Sequence, residues 1–287
     1  MKYYAMLGLA VLLLAVNFVF TKLYQKRRGD SVTEALLFNM YCGAFTAVSF
    51  FFINGCKFEI NFFAAVMAFL VVLFGVVYTL IGFKIMASGK MAYYTFFLML
   101  GGMVVPYIWG IFNLGEQVSI LRIIGLSIIA ASAFILYADK NGLSKKVLCL
   151  CLAVFLLNGL ISVTSKEHQI SPHSVSANGF VLLTGVFKAV GCLIVLPFVK
   201  EKQKDIQTKS TKMPWILLLG ATLSSGLSYM LQLLSASELP ATVLYPALTG
   251  GTILISAVAG MVCFKEKITK KMLIGLLICF AGTCMFL

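Results

Sequence analysis

The sequence predicts an all-α polytopic membrane protein with ten transmembrane helices in two inverted five-helix repeats. Three observations support this fold class: composition, the spacing of apolar runs, and a relation between the two halves of the chain. Hydrophobic residues make up 61% of the 287 residues and charged residues only 11%, whereas charged residues form about 25% of an ordinary soluble domain. A water-soluble fold is therefore excluded.

Ten apolar runs divide the chain, and each is long enough to cross a hydrocarbon core of about 30 Å as a helix. Helices are the expected element, because backbone groups in lipid must hydrogen bond within the protein. The first run is longer than a signal peptide's apolar core and has no small-residue cleavage pattern after it, so we expect it to stay in the mature chain. The runs cover residues 3–21, 35–54, 61–83, 91–113, 119–138, 147–165, 174–199, 213–236, 240–264 and 272–287.

Basic residues concentrate on one side of these ten spans, which predicts that both termini face outward. The N-terminus and the even connections carry four: Lys2, Lys57, Arg122 and Lys166. The odd connections carry eighteen: Lys22, Lys26, Arg27, Arg28, Lys84, Lys90, Lys140, Lys145, Lys146, Lys200, Lys202, Lys204, Lys209, Lys212, Lys265, Lys267, Lys270 and Lys271. The remaining cation, Lys188, lies inside a span.

The two halves resemble each other at an offset of 150 residues. Glu116 aligns with Glu266, and Gly125 aligns with Gly275 nine residues later in both halves. Five helices per half is an odd number, so the second half runs opposite to the first, as the charge asymmetry also requires. We assign residues 1–140 to the first repeat and residues 145–287 to the second, as one integrated transmembrane unit.

No residue pattern points to an enzyme, a metal, a cofactor or a nucleic-acid partner. The eight cysteines lie mostly in apolar runs, and Cys149 and Cys151 have the wrong spacing for a zinc knuckle. The chain has no nucleotide-binding loop, and its basic residues follow the membrane topology rather than a soluble face. All ten acidic residues fall at or near span ends, which counts against a cation exchanger that needs an acid deep in the membrane.

At this point the second half resembles the EamA-like family of the drug/metabolite transporter superfamily. The stretch Ser237–Glu238–Leu239–Pro240–Ala241, then Tyr245–Pro246, Phe264–Lys265–Glu266, Gly275 and Gly282 carry the resemblance. The first half keeps Leu114, Gly115, Glu116 and Gly125 but has Lys90 and Phe96 where the second has Pro240 and Pro246. The resemblance implies ten helices around a central cavity lined by helices 3, 4, 8 and 9, with alternating access by rocking of the halves.

Lys188 is the first candidate for substrate binding. It lies nine residues, or roughly 13 Å along a helix, from Pro197 near the inner end of the seventh span. A buried lysine costs at least ~2.5 kcal/mol at the membrane centre, so one hypothesis is a counter-charge for a carboxylate or phosphate. The alternatives are a lysine that faces a wet vestibule, snorkels, or is neutral.

A second set of candidates consists of polar and aromatic residues in the predicted cavity helices. Such residues suit a ligand site with apolar walls and a few placed polar groups. The alternative is that they bond between helices or belong to an interfacial belt. The set comprises Tyr78, Thr79, Tyr93, Tyr94, Thr95, Trp109, Tyr229, Gln232, Tyr245 and Thr249, with Asn17 and Asn158 in spans 1 and 6.

Several polar residues are interpreted as structural. We expect Glu116 and Glu266 to be helix caps or interfacial partners of Arg122 and nearby lysines. His168 and His173 are expected to be solvated residues of the connection from Lys166 to Ser174.

These observations and the resemblance together lead to a functional expectation. The chain is expected to be a secondary transporter in the cell membrane of a bacterium, monomeric or homodimeric. Its expected substrate is a small polar or zwitterionic, amino-acid-like metabolite, moved in the direction of export. The alternative is a flippase for a lipid carrier or lipid headgroup, in which Lys188 would meet a phosphate. Membrane lipids are the other expected partners.

Overall fold

The structure is a computed structural model that describes residues 2–29, 31–87, 91–117, 119–137, 144–199, 213–264 and 270–286. These residues form ten α-helices and one short 3₁₀ turn, Leu196–Phe198, after the seventh helix. The predicted ten-helix, all-α membrane fold is confirmed. The helices are α1 Lys2–Arg28, α2 Val32–Ile53, α3 Phe62–Ala87, α4 Met91–Phe112, α5 Ile120–Tyr137, α6 Lys145–Ile170, α7 Ala177–Val195, α8 Trp215–Ala236, α9 Ala241–Phe264 and α10 Lys270–Cys284.

Serine residues cap three of the helix starts. Ser31, Ser144 and Ser176 precede α2, α6 and α7, and each hydroxyl accepts a hydrogen bond from the backbone N–H three residues on. Such a cap satisfies an N–H group that has no partner inside the helix. The apolar runs therefore become helices that begin where the sequence provides a capping side chain.

Eight of the ten helices are long and apolar enough to cross a membrane by length and composition. In α5 and α10 the apolar segments within the described residues are shorter, Ile120–Ile135 and Leu273–Cys284. Large apolar side chains such as Phe62, Phe112 and Ile216 are exposed on the outside of the bundle. An apolar exterior of this extent fits a lipid environment, and the chain is a multi-pass membrane protein.

The two ends of the bundle differ in composition. At one end, Tyr24 in the last turns of α1 donates to Glu34 at the start of α2 (3.1 Å), and Arg28 pairs with the same carboxylate at 2.6 Å. This end also holds the described lysines of the odd connections, and we name it the basic end. At the other end, the backbone carbonyl of Tyr3 accepts from Ser235 (3.3 Å) near the end of α8. We name it the termini end.

The packing of the helices is reciprocal between the two predicted repeats: α1 packs on α8 as α6 packs on α3, and α1 packs on α9 as α6 packs on α4. The bounds of the repeats stay a prediction. Helices α2 and α7, α4 and α9, and α5 and α10 pack on one another.

Glycines let α2 and α7 approach closely. A Cβ on Gly43 would lie 2.7 Å from the backbone N of Ala189, and a Cβ on Gly185 would lie 2.8 Å from the backbone N of Ala47. Small residues permit this kind of helix contact in membranes, where van der Waals packing supplies much of the association energy. The α2–α7 pair thus forms a rigid wall, and Lys188 lies on it three residues after Gly185.

Some sequence predictions fall outside the described residues. These include the acids Asp30, Asp139, Glu201, Asp205 and Glu266 and the lysines Lys90, Lys140, Lys265 and Lys267, together with the segment 200–212. Among the described acids, Glu34, Glu116 and Glu167 all lie within a turn of a helix end or in a connection. That part of the prediction is confirmed.

Candidate functional site

A half-enclosed cavity of about 280 Å³ lies between the two halves, in the middle of the bundle. Its walls come from α2, α3, α6, α7 and α8, and they combine aliphatic side chains and glycines with hydroxyl, amide and aromatic groups. The lining residues are Leu36, Asn39, Thr46, Val71, Val72, Gly75, Val76, Tyr78, Thr79, Ile161, Val181, Thr184, Gly185, Lys188, Cys192, Ser225, Gly226 and Tyr229.

Lys188 is the one charged side chain among the described residues of this lining. It lies near the middle of α7, with Thr184 one turn before it and Cys192 one turn after it, so all three share a face of the helix. No carboxylate of the described residues pairs with its ammonium within 4.0 Å. Among the described residues, Lys188 therefore has no carboxylate partner in the cavity.

The hydroxyl and amide groups of the lining are mostly bonded to their own helices. Thr79 donates to the carbonyl of Gly75 (2.7 Å), Thr184 to that of Val181 (2.9 Å), and Ser225 to that of Thr222 (3.1 Å). A hydroxyl that has donated its proton keeps lone pairs that can accept hydrogen bonds. These oxygens are thus available to donors of a ligand.

Two tyrosines from opposite sides complete the lining. Tyr78 comes from α3, and Tyr229 comes from α8. The hydroxyl of Tyr229 forms a 2.7 Å hydrogen bond with the hydroxyl of Ser165 in α6. Of the residues proposed from the sequence, the structure brings Lys188, Tyr78, Thr79 and Tyr229 together around one cavity.

The other proposed residues do not line this cavity, and several bond between helices instead. Asn158 donates to the carbonyl of Leu98 in α4 (2.7 Å), and Tyr245 donates to the carbonyl of Ser162 in α6 (2.5 Å). Gln232 donates to Ser228 of its own helix (3.2 Å). Asn17 accepts a hydrogen bond from Thr21 of its own helix (3.5 Å), and Trp109 donates one to Glu167 in α6 (2.6 Å). Tyr94 packs beside Gly82 of α3, and Thr249 is half-buried on α9.

The set of helices around this cavity also differs from the expectation of helices 3, 4, 8 and 9. Helices α3 and α8 contribute as expected, but α2, α6 and α7 take the places expected for α4 and α9. The physical reason is packing. α4 and α9 pack directly on each other, and neither contributes to the lining of this cavity.

The last turn of α6 forms a polar cluster at the termini end, where the sequence predicted a loop. Lys166 was expected in a connection, yet it lies inside α6 with only 5% of its surface exposed. Its ammonium donates to the carbonyls of Ala236 (2.6 Å) and Leu239 (2.7 Å), at the C-terminal end of α8. A cation at that end satisfies carbonyls that have no helical partner. This interaction is why the helix continues through a charged sequence.

His168 is also placed differently from the prediction of a solvated loop residue. It is fully buried in α6, and its ring stacks on Phe180 with centroids 3.7 Å apart. The backbone N–H of Val175 donates to its Nε2 at 3.4 Å. His173, in contrast, lies exposed in the connection as predicted. The run of polar residues from Ser165 to His168 appeared loop-like in the sequence because its partners lie on other helices.

Glu116 is a helix cap, as predicted, but it caps a different helix from its own. Its two carboxylate oxygens accept hydrogen bonds from the backbone N–H groups of Ala241 (2.6 Å) and Thr242 (2.8 Å), in the first turn of α9. A carboxylate at this position is favourable because the N-terminus of a helix carries partial positive charge. Glu116 thus bonds to α9 rather than to Arg122, and we name its pair of bonds to Ala241 and Thr242 the clamp between the two halves.

Comparison with known proteins identifies the family. The model of the EamA-like transporter family matches residues 145–287. This chain carries an EamA-like transporter domain and belongs to the drug/metabolite transporter superfamily. A solved structure described only as the crystal structure of a protein is similar in fold, with a TM-score of 0.71 and 14% identity over 96% of this chain and 95% of that one. No curated protein matched.

Sequence reasoning missed several lining residues of this EamA-like protein. Thr46, Thr184, Cys192 and Ser225 line the cavity but were not proposed. For Thr184 and Cys192 a signal was present, because they lie four residues before and after Lys188 and so share its helix face. For Thr46 and Ser225 the signal is packing between helices, which a single sequence does not show.

Proposed function

We propose that this EamA-like membrane protein is a secondary transporter of a small polar or zwitterionic, amino-acid-like metabolite. It works by alternating access, driven by an ion gradient or by exchange, in the direction of export. The observation that carries the proposal is Lys188, which lies in a cavity between the two halves and has no carboxylate partner among the described residues. Membership of the EamA-like family implies membrane transport, and the residues that line the cavity indicate the chemical class of the substrate.

The charge of the cavity favours a ligand with an anionic group. A lysine inside a span is costly unless it meets water or an opposite charge. Among the described lining residues the structure offers it no carboxylate. A carboxylate on the substrate would complete the pair with a charge-assisted hydrogen bond. A cationic drug would instead meet a like charge in the same place.

The uncharged polar groups favour a second, hydrogen-bond-donating group on the same ligand. The oxygens of Thr79, Thr184 and Ser225 have given their protons to backbone carbonyls and remain acceptors. An ammonium group has donors and no acceptor, so it suits these oxygens. Together with the aliphatic walls, this arrangement fits a small amphipathic zwitterion.

The asymmetry of the bundle supports alternating access. The last turns of α6 bond to α8 between the cavity and the termini end: Ser165 bonds to Tyr229, which lines the cavity, and Lys166 bonds to the end of α8. We infer that these bonds close the cavity toward the termini end. By the positive-inside rule the basic end faces the cytoplasm, and both termini face outward. In this conformation the protein would take its substrate from the cytoplasm, which agrees with export.

A thermal-shift screen of the purified protein tests the proposal. The panel contains amino acids, organic acids, quaternary amines and anionic phospholipids, and each compound is tested on wild type, Lys188→Arg and Lys188→Met. We expect stabilisation of the wild type by at least one zwitterion or anion, weaker stabilisation of Lys188→Arg, and none of Lys188→Met. Lys84→Met, which removes an exposed lysine of the basic end, is the matched control and should respond like wild type.

Two results would contradict this assignment. Stabilisation by quaternary amines alone would remove the argument from Lys188. Stabilisation by anionic phospholipid alone, with lipid that co-purifies, would point to the flippase in place of the metabolite transporter.

A further inference from the structure

The pseudo-symmetry between the halves is broken at the termini end. Helices α6 and α7 both pack against α8. The equivalent pairs of the first half, α1 with α3 and α2 with α3, make at most marginal contact among the described residues. Where the last turns of α6 meet α8, Ser165 and Lys166 bond to α8 and to the connection after it. We name this contact the closure.

The closure consists of side-chain bonds that run from α6 to two other helices, α4 and α8, and to the connection that follows α8. Lys166 donates to Ala236 and Leu239 at the end of α8. Glu167 accepts from Trp109 of α4 at 2.6 Å, and the hydroxyl of Ser165 meets Tyr229 of α8 at 2.7 Å. All of them must break, or move with their partners, before the cavity can open to the termini end.

Tyr229 connects this closure to the cavity. It belongs to the cavity lining, while its hydroxyl bonds to Ser165, the residue directly before Lys166. A ligand that contacts Tyr229 can therefore change the position of the hydroxyl and weaken the bond to α6. The neighbouring Ser228 offers a contrast, since it donates to the carbonyl of Ala10 in α1 (2.7 Å), away from the closure.

We propose that Lys166 and Tyr229 form a latch that holds the termini end closed, with Tyr229 as the positioning residue through which bound substrate releases it. The proposal rests on the proposed function, because a latch has a role only where the cavity opens alternately to the two sides. Lys166 contributes most of the free energy that keeps the latch closed, because its two hydrogen bonds are charge-assisted and buried. Tyr229 makes the latch respond to a bound ligand, because its ring lines the cavity and its hydroxyl bonds to Ser165.

Cysteine accessibility tests the latch without a known ligand. The eight native cysteines are replaced by alanine or serine, and Ser225→Cys places one reporter in the cavity. A membrane-impermeant methanethiosulfonate reagent is then added to one side of oriented vesicles. Tyr229→Phe removes the hydroxyl but keeps the ring, and Lys166→Met keeps much of the length and removes the charge. Ser228→Ala removes a comparable interhelical bond of α8 and serves as the control.

We expect labelling from the termini end to rise roughly three- to tenfold in Tyr229→Phe, the range for one hydrogen bond, and more in Lys166→Met. Labelling from the basic end should not rise, and Ser228→Ala should match the parent. A parallel rise from both ends would indicate general loosening and overturn the latch.

Two further outcomes separate the latch from the proposed function. Labelling of the parent from both ends, with equal rates in all variants, would overturn the latch and still uphold alternating access. Labelling from the basic end alone in every variant would also overturn the latch, and the thermal-shift screen with Lys188→Met then decides the proposed function separately.

Discussion

The close packing of α2 on α7 should make Gly185 intolerant of even one added methyl group. A Cβ there would lie 2.8 Å from the backbone N of Ala47 and 3.0 Å from the backbone O of Gly43. Backbone atoms cannot rotate away, so the helices must separate. Overpacking of this kind costs about 1–3 kcal/mol. On α7 the matched position is Gly191, where the nearest atom to an added Cβ is the Cγ1 of Val72 at 3.8 Å.

Gly185→Ala and Gly191→Ala make the same chemical change in one helix, so the gain of about 1 kcal/mol in helix propensity cancels between them. We expect Gly185→Ala to be less stable than Gly191→Ala by about 1–3 kcal/mol, measured as a lower unfolding midpoint in detergent. Because Lys188 follows three residues later, stabilisation by ligands should weaken in Gly185→Ala only. Equal midpoints for the two variants would refute the packing argument.

Three further predictions concern the ends of the bundle. Lys166→Met should lower the free energy of unfolding by about 2–4 kcal/mol, because two buried carbonyls lose charge-assisted hydrogen bonds. Thermal unfolding measures this loss, with Lys84→Met, which removes an exposed lysine, as the control. Glu116→Gln should lower the free energy of unfolding by about 1–2 kcal/mol. Glu116→Ala should lower it further, because glutamine keeps one acceptor for the N–H groups of α9 and alanine keeps none. Equal losses in the two variants would contradict the clamp. The side chain and the backbone N–H of Ser176 hold the pKa of Glu59 below its ordinary value. That contribution to stability is present above about pH 4.3 and is lost as pH falls through the lowered pKa, so Glu59→Gln should flatten the acid side of the stability curve.

The architecture was largely predictable because its determinants are local. A helix that crosses lipid must be about twenty apolar residues long, and the sequence shows ten such runs. The spacing of Glu116 and Glu266 predicts the repeat, and the reciprocal packing of α1 on α8 and of α6 on α3 is the kind of contact that an inverted repeat produces. Lys188 was identifiable because a charge inside an apolar run is rare and expensive.

The site was only partly predictable because it depends on which helices touch. Asn158 and Tyr245 resembled cavity residues in the sequence, but each finds a backbone carbonyl on a neighbouring helix. Lys166 and His168 resembled loop residues, yet tertiary partners bury both. In each case the deciding partner is far away along the chain. Periodicity and composition carry no information about such a pairing.

Uptake into proteoliposomes tests the central claim most directly. The compound that best stabilises the wild type is supplied in labelled form to vesicles that contain wild type, Lys188→Met or the Lys84→Met control, at matched protein content. We expect saturable uptake by wild type and control and only background uptake by Lys188→Met. Equal uptake by Lys188→Met would contradict the assignment of Lys188 as the counter-charge of the substrate.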